Sequence, residues 1–110
     1  MNNEDTIGVV STVKAPASQL LLFVNYHLNI GVDHVILFLD SPRDIDKTLF
    51  SSYSQVTVIE CSIEYWKEKN GGIPQSIEEK QTINVNQGAR YLALKKCDWL
   101  IHIDCDELLY

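Results

Sequence analysis

Acidic residues follow the last apolar run of the sequence, in the stretch IHIDCDELLY at residues 101–110. Asp104 and Asp106 are spaced i, i+2, so on an extended backbone their side chains would point the same way and could meet on one cation. Carboxylate oxygens suit Mg²⁺ and Mn²⁺, which often take further ligands from substrate phosphates. The same acids would also suit a turn or a helix N-cap, where aspartate is favoured. The pair is thus a candidate metal site, with a turn as the alternative.

Another acid, Asp40, ends the earlier apolar run VDHVILFLD at residues 32–40. In open parallel sheets, ligands bind outside the carboxyl ends of the strands. If both runs are strands of one parallel sheet, Asp40 and Asp104 belong to the same edge of it. The sequence therefore predicts a binding site at that edge.

The elements that would position these acids are strands alternating with helices. β-branched and apolar runs predict strands, whereas N-cap serine, Pro16 and Gly31 mark helix ends. Strands are predicted at residues 6–14, 32–40, 55–61 and 98–103, and helices at residues 18–31, 43–53 and 76–96. Residues 62–77, with two glycines and a proline, are predicted to be a long irregular loop. Such alternation predicts an α/β fold with a mainly parallel sheet.

The helix predicted at residues 76–96 begins with Ser76 and Glu79 at the spacing of a capping box. Helical periodicity gives it two faces. The predicted packing face carries Val85, Ala89 and Leu92. The opposite face, predicted to be free for solvent or ligand, carries Lys80, Asn84, Gln87 and Tyr91.

Composition limits the class of partner and the compartment. The chain has 110 residues, a formal net charge of -6 and a pI near 4.8, so its field repels nucleic acid and anionic lipid. Cys61, Cys97 and Cys105 are odd in number and lack metal-site spacing, which favours a reducing, cytoplasmic location. No apolar stretch reaches the length of a membrane span. The size fits one domain, residues 1–110.

Three segments together resemble the N-terminal half of glycosyltransferases of the family 2 type, which have the GT-A fold. The segments are NYHLNIGVDHVILFLD, KQTINVNQGA and DWLIHIDCDELLY. The resemblance covers about residues 6–110, and the order and separation of the motifs are its most specific feature. It implies an open Rossmann-like sheet of about four strands in the order 3-2-1-4, a partial GT-A domain that stops just after the DxD motif.

The resemblance also implies a binding site for a nucleotide-diphosphate sugar, most simply a UDP-sugar. Thr12 and Lys14 match the segment that lies along the nucleoside in the family. Asp40 matches the acid that contacts the base, and Lys80 matches a position that faces the diphosphate. Lys14 departs from the family pattern, since Ala15-Pro16 follow it where many relatives have Asn-Glu. The turn DSPRD after the second predicted strand lacks the glycine common in relatives, so base preference stays open.

The acids at the end of the chain match the DxD motif of the family. Asp104 would meet the ribose or the metal, and Asp106 would coordinate the Mn²⁺ or Mg²⁺ that bridges the diphosphate, with Glu107 as the usual acidic neighbour. Such a metal stabilises the charge that grows on the leaving diphosphate. The base expected for an inverting transfer lies in the family beyond the position of Tyr110. The chain is therefore interpreted as the donor-binding half of a transferase, with an unknown acceptor.

Two other functions fit the same residues. One is a non-catalytic nucleotide-binding module, which could self-associate through the surface that half a domain leaves uncovered. The other is a metal-dependent nucleotidyl- or phosphoryl-transfer enzyme, although no P-loop pattern occurs.

Several aromatic residues are interpreted as structural. His27, His34 and His102 lack spaced metal-ligand partners, and a buried imidazole often only completes a hydrogen-bond network. Trp66 and Trp99 are predicted to anchor the core or a loop, with Trp66 also a candidate for the border of the donor pocket.

Overall fold

The described chain has an α/β fold, as the sequence predicts, with its elements in the order β-α-β-β-α-α-β. The structure is a computed structural model, and it describes residues 5–40 and 48–103. Its elements are β1 (Ile7–Val13), α1 (Ala17–Asn29), β2 (His34–Leu39), β3 (Val56–Glu60), α2 (Ile63–Asn70), α3 (Ile77–Leu94) and β4 (Trp99–His102). The four predicted strands and the predicted helices α1 and α3 are confirmed. Of the helix predicted at residues 43–53, residues 43–47 lie outside the described residues, and residues 48–53 contain turns and no helix, so the prediction is wrong for that part.

One parallel sheet organises the described residues. Its strand order is β3-β2-β1-β4, which confirms the predicted order 3-2-1-4. β1 pairs in parallel with β2 and with β4, and β2 pairs in parallel with β3. Parallel neighbours need crossover connections, and the helices supply them. The carboxyl ends of all four strands therefore lie along one edge.

The two central strands are buried on both faces, and their alternating side chains build two separate cores. One face of β1 and β2 packs with α1 in a cluster that includes Val9, Leu37 and Phe23. The opposite face packs with α2 and α3 in a smaller cluster that includes Val10 and Phe38. Helices therefore cover both sides of the sheet.

Helix α2 corrects the prediction of a long irregular loop at residues 62–77. Ser62 is its N-cap, and the Ser62 hydroxyl accepts a hydrogen bond from the Tyr65 N–H. Gly71 ends it in the left-handed conformation, with φ 80°. Ser62 and Gly71 are sequence signals for the two ends of a helix, but the mostly polar run between them does not predict one. Only the short segment 71–76 separates α2 from α3.

Helix α3 crosses the sheet against β1 with matched repeats. Four helical residues rise about 6 Å and two strand residues about 6.6 Å, so one contact per helical turn meets every second strand residue. The two elements run antiparallel, and the pairs in contact are Gly8 with Leu92, Val10 with Gly88 and Thr12 with Asn84. This match fixes the register of α3 and holds its N-terminal half at the carboxyl edge.

The structural reading of the aromatic residues is confirmed for two of them. His27 is fully buried, with Nδ1 2.7 Å from the carbonyl oxygen of Phe23. Trp66 is buried in the α2 side of the core. Trp99 is not a core residue, because it is 59% exposed and its indole N–H donates to Asp5.

No helix in the described part of the chain has both the length and the apolar character needed to cross a bilayer.

His34 makes the fold sensitive to mild acid. Its side chain is 6% exposed at the start of β2, and Nε2 lies 2.9 Å from the Thr57 hydroxyl. Burial, helped by the nearby Lys95 charge, lowers the pKa of His34 below its ordinary value of 6.5. The unfolded chain therefore takes up a proton before the folded chain does. We expect the free energy of unfolding to fall as pH drops below about 6.5.

Denaturant titrations between pH 7.5 and pH 5 would measure this loss, with His34→Gln as the comparison. The glutamine amide can still reach the Thr57 hydroxyl but cannot titrate, so the variant should lose less stability over the same range. Equal slopes for the two proteins would assign the acid sensitivity to other groups.

Candidate functional site

The carboxyl edge of the sheet brings together polar residues from three strands. Thr12 is the next-to-last residue of β1, and Asp40 and Cys61 directly follow β2 and β3. The Asp40 N–H donates to the Val13 carbonyl at 2.8 Å, and the Cys61 N–H donates to the Leu39 carbonyl at 2.9 Å. The strand register thus continues through both residues, which fixes their backbones at the edge.

Asp40 and Lys80, each predicted to contact the nucleotide, contact each other. Lys80 Nζ lies 3.0 Å from Asp40 Oδ1 and 3.2 Å from Oδ2. The Asp40 side chain is 10% exposed and that of Lys80 is 21% exposed, so water screens the pair poorly. The pair is close to neutral as a unit, and Lys80 is not a free cation for a diphosphate.

Trp66 covers the other side of the lysine. Lys80 Nζ lies 5.8 Å from the centroid of the Trp66 ring, within the range of a cation–π contact. The indole is buried at 2% exposure and therefore offers a rigid wall. The ammonium is held between a carboxylate and a ring face, which fixes the Asp40 carboxylate as well.

Asn84 links four elements beneath this pair. It lies one helical turn after Lys80 on α3, and its side chain is fully buried. Nδ2 donates to the Thr12 hydroxyl oxygen at 3.0 Å and to Cys61 Sγ at 3.7 Å. Oδ1 accepts a short 2.6 Å hydrogen bond from the Tyr65 hydroxyl. The site is thus pre-organised from β1, the end of β3, α2 and α3.

The titratable groups around Asn84 stay protonated near neutral pH. Burial raises the pKa of Cys61 to about 12, with the Asn84 hydrogen bond opposing that rise and the Asp40 charge adding to it. Burial also raises the pKa of Tyr65 well above its ordinary value. Cys61 is therefore a neutral, unreactive thiol. Neither residue is a nucleophile or a general base here.

The burial of α3 corrects part of the predicted assignment of its faces, since Leu92 is buried and Tyr91 is exposed as predicted. The buried positions are Asn84, Gly88 and Leu92, whereas Ala89 is exposed. The sequence pattern places polar residues outside, but Asn84 and Lys80 find polar partners at the sheet edge that compensate their burial. The face predicted for solvent or ligand is in this region the face that meets the sheet.

Two residues of this cluster were missed by sequence reasoning. Cys61 follows β3 as Asp40 follows β2, so the rule of strand ends could have found it. No sequence signal points to Tyr65 when residues 62–77 are predicted to be a loop. Recognition of Ser62 and Gly71 as helix ends would have placed Tyr65 on the first turn of a helix.

The remaining predicted site residues are less constrained. Lys14 is exposed just beyond β1 and makes no hydrogen bond or ion pair with the rest of the described chain. His102 ends β4, and its Nε2 is buried with no hydrogen-bond partner in residues 5–40 and 48–103. It borders a cleft of about 320 Å³ beside Glu78 and Thr82 of α3.

The predicted metal ligands Asp104 and Asp106, with Glu107, lie outside the described residues. Within residues 5–40 and 48–103, no cluster of three or more His, Cys, Asp or Glu side chains could hold a metal ion. The Ile103 N–H donates to the Val10 carbonyl at 3.3 Å, so the chain just before Asp104 runs beside β1. The motif therefore follows a strand that ends at the same edge as Thr12, and its oxygen donors suit Mg²⁺ or Mn²⁺.

Comparison with known proteins identifies the family. The sequence model of glycosyltransferase family 92 matches residues 9–110. Comparisons with curated proteins and with solved structures gave no match. The match supports the predicted glycosyltransferase, although it points to family 92 and does not support the narrower prediction of family 2. Since the matched region covers most of the sequence, the chain belongs to glycosyltransferase family 92.

Proposed function

We propose that this chain is the donor-binding half of a metal-dependent, inverting glycosyltransferase that uses a nucleotide-diphosphate sugar. The observation that carries the proposal is the convergence of Thr12 and the Asp40–Lys80 pair at the carboxyl edge of a parallel sheet. This is the edge at which open α/β sheets bind ligands. In a chain of a glycosyltransferase family, the ligand that such an edge would hold is the sugar donor.

Each polar group at the edge would contact a different part of the ligand. Asp40 is an acceptor for the N–H groups of a base, and its carboxylate is held in place by Lys80. Thr12 offers a hydroxyl to the nucleoside, and exposed Lys14 is the cation left for a phosphate. The pre-formed hydrogen bonds around Asn84 mean that little ordering cost remains for binding.

Asp104 and Asp106 would hold Mn²⁺ or Mg²⁺. The ion would supply Lewis-acid stabilisation for the diphosphate that leaves when the glycosidic bond breaks. It would also reconcile the negatively charged diphosphate with a chain whose net charge is -6. A UDP-sugar is the donor we propose.

Calorimetric titration of UDP into the purified chain, with and without Mn²⁺, tests this function. We expect binding that depends on the metal, and we expect Asp106→Ala to weaken it at least tenfold, as loss of a metal ligand does. Asp5→Ala is the control of matched charge, because Asp5 lies at the opposite end of the sheet near Trp99. Absence of UDP binding by the folded wild-type chain, with or without metal, would contradict the proposal.

A further inference from the structure

Asn84 has a role in the site that is separate from packing. Its amide is fully buried, and both of its ends are occupied by polar groups from other elements. A buried amide without partners costs free energy, so a hydrocarbon would be the simpler choice for a purely structural position. The position of the amide between Tyr65 and Thr12 suggests what it contributes.

The hydrogen bonds around Asn84 run in one direction. The hydroxyl of Tyr65 has one hydrogen and gives it to Asn84 Oδ1 at 2.6 Å. The amide then presents only its N–H groups to Thr12, and the Thr12 oxygen accepts at 3.0 Å. An amide oxygen only accepts and an amide NH₂ group only donates, so the orientation of the Asn84 side chain sets this direction.

This direction determines where the Thr12 hydroxyl can point its own hydrogen. A hydroxyl that accepts from Asn84 must direct its own hydrogen elsewhere. Within the part of the chain that the structure describes, Thr12 donates to no acceptor. Its side chain is half-buried at the carboxyl end of β1, facing the α3 side of the edge where Asp40 also ends its strand.

We propose that Asn84 is a positioning residue, which with Tyr65 fixes the Thr12 hydroxyl as a hydrogen-bond donor to an acceptor oxygen of the bound nucleotide. This inference rests on the proposed donor-binding function. Without Asn84 the hydroxyl would be free to rotate, and its orientation would have to be fixed again on each binding event. The relay of Tyr65, Asn84 and Thr12 thus makes the site selective for an acceptor atom at that point.

The test is UDP affinity in the presence of Mn²⁺, measured by calorimetry on the full chain. Thr12→Val removes the donor while keeping the shape, and we expect about tenfold weaker binding, the usual effect of losing a hydrogen bond to a ligand. Ser11→Ala is the matched control. Its hydroxyl lies on the adjacent residue, fully buried and without a partner among the described residues, and its loss should leave UDP affinity unchanged.

A double-mutant cycle separates positioning from packing. Asn84→Leu should weaken UDP binding severalfold in the wild-type background and have no further effect in the Thr12→Val background. Tyr65→Phe, which removes only one hydroxyl, should behave in the same way and decides the matter if Asn84→Leu does not fold. Multiplicative losses in the cycle, or unchanged affinity of Thr12→Val, would overturn the inference while leaving the donor site intact. A wild-type chain that does not bind UDP would overturn the donor-binding function itself.

Discussion

Replacing Lys80 with methionine should lower the free energy of unfolding by about 3 kcal/mol, because it leaves the Asp40 carboxylate buried without its partner. The carboxylate is only 10% exposed and contacts no second cation within the described residues, so solvent replaces the ammonium poorly. Methionine keeps most of the contact with Trp66, so the loss reports the charge and not the packing. Urea denaturation at pH 7 followed by circular dichroism would measure it.

The control for that prediction is Lys67→Met, which removes an exposed lysine from α2. Its effect should stay within about 0.5 kcal/mol, as for most surface changes. The double variant Asp40→Asn/Lys80→Met should recover most of the lost stability, since both charges are then absent. If the double variant is as unstable as Lys80→Met, the lysine acts through packing and the ion pair is not the cause.

The same double variant separates stability from function. Once the fold is restored, a role of Asp40 in contacting the nucleotide base predicts that UDP affinity stays low. Recovery of affinity together with stability would show that the pair only holds the edge of the sheet together. Stability and UDP affinity must both be measured, because the Asp40 carboxylate already accepts from Lys80. It can contact the nucleotide base only through a lone pair that Lys80 does not use.

The sheet could be predicted from the sequence because its strands carry local signals. β1 and β2 are short apolar runs that end in polar residues, which is the pattern typical of strands buried on both faces. The strand order came from the family resemblance. It depends on contacts between residues far apart in the chain, such as those of Val10 with His102, and no local pattern encodes these.

The sequence predicts where the site lies in the fold but not which of its side chains contact one another. The rule that ligands bind at carboxyl ends of parallel strands located Asp40, whereas Thr12 was assigned through the family resemblance. The pairing of Asp40 with Lys80 spans 40 positions and depends on the angle at which α3 crosses the sheet. Periodicity counts Lys80 and Asn84 as solvent-facing because it ignores polar partners on other elements.

Substitution of Gly88 by alanine should destabilise the fold by about 2 kcal/mol and displace α3 from β1. An added Cβ would lie 2.6 Å from Val10 Cγ2 and 3.1 Å from Cγ1, which is far inside normal contact. Val10 is fully buried and β-branched, so its methyl groups have little freedom to move away from the added carbon. Alanine gains about 1 kcal/mol of helix propensity over glycine, which offsets only part of this cost.

The displacement should reach the site, since Asn84 lies one helical turn from Gly88 and bonds the strand at Thr12. We therefore expect Gly88→Ala to weaken metal-dependent UDP binding as well as lower the unfolding midpoint. Gly72→Ala is the matched control, because nothing lies within 4 Å of a Cβ at that position. In the double variant Gly88→Ala/Val10→Ala the smaller side chain makes room, so the combined loss should be less than the sum of the two single losses. A Gly88→Ala protein more stable than wild type would mean that helix propensity outweighs the contact and that α3 is not held in register by this close approach.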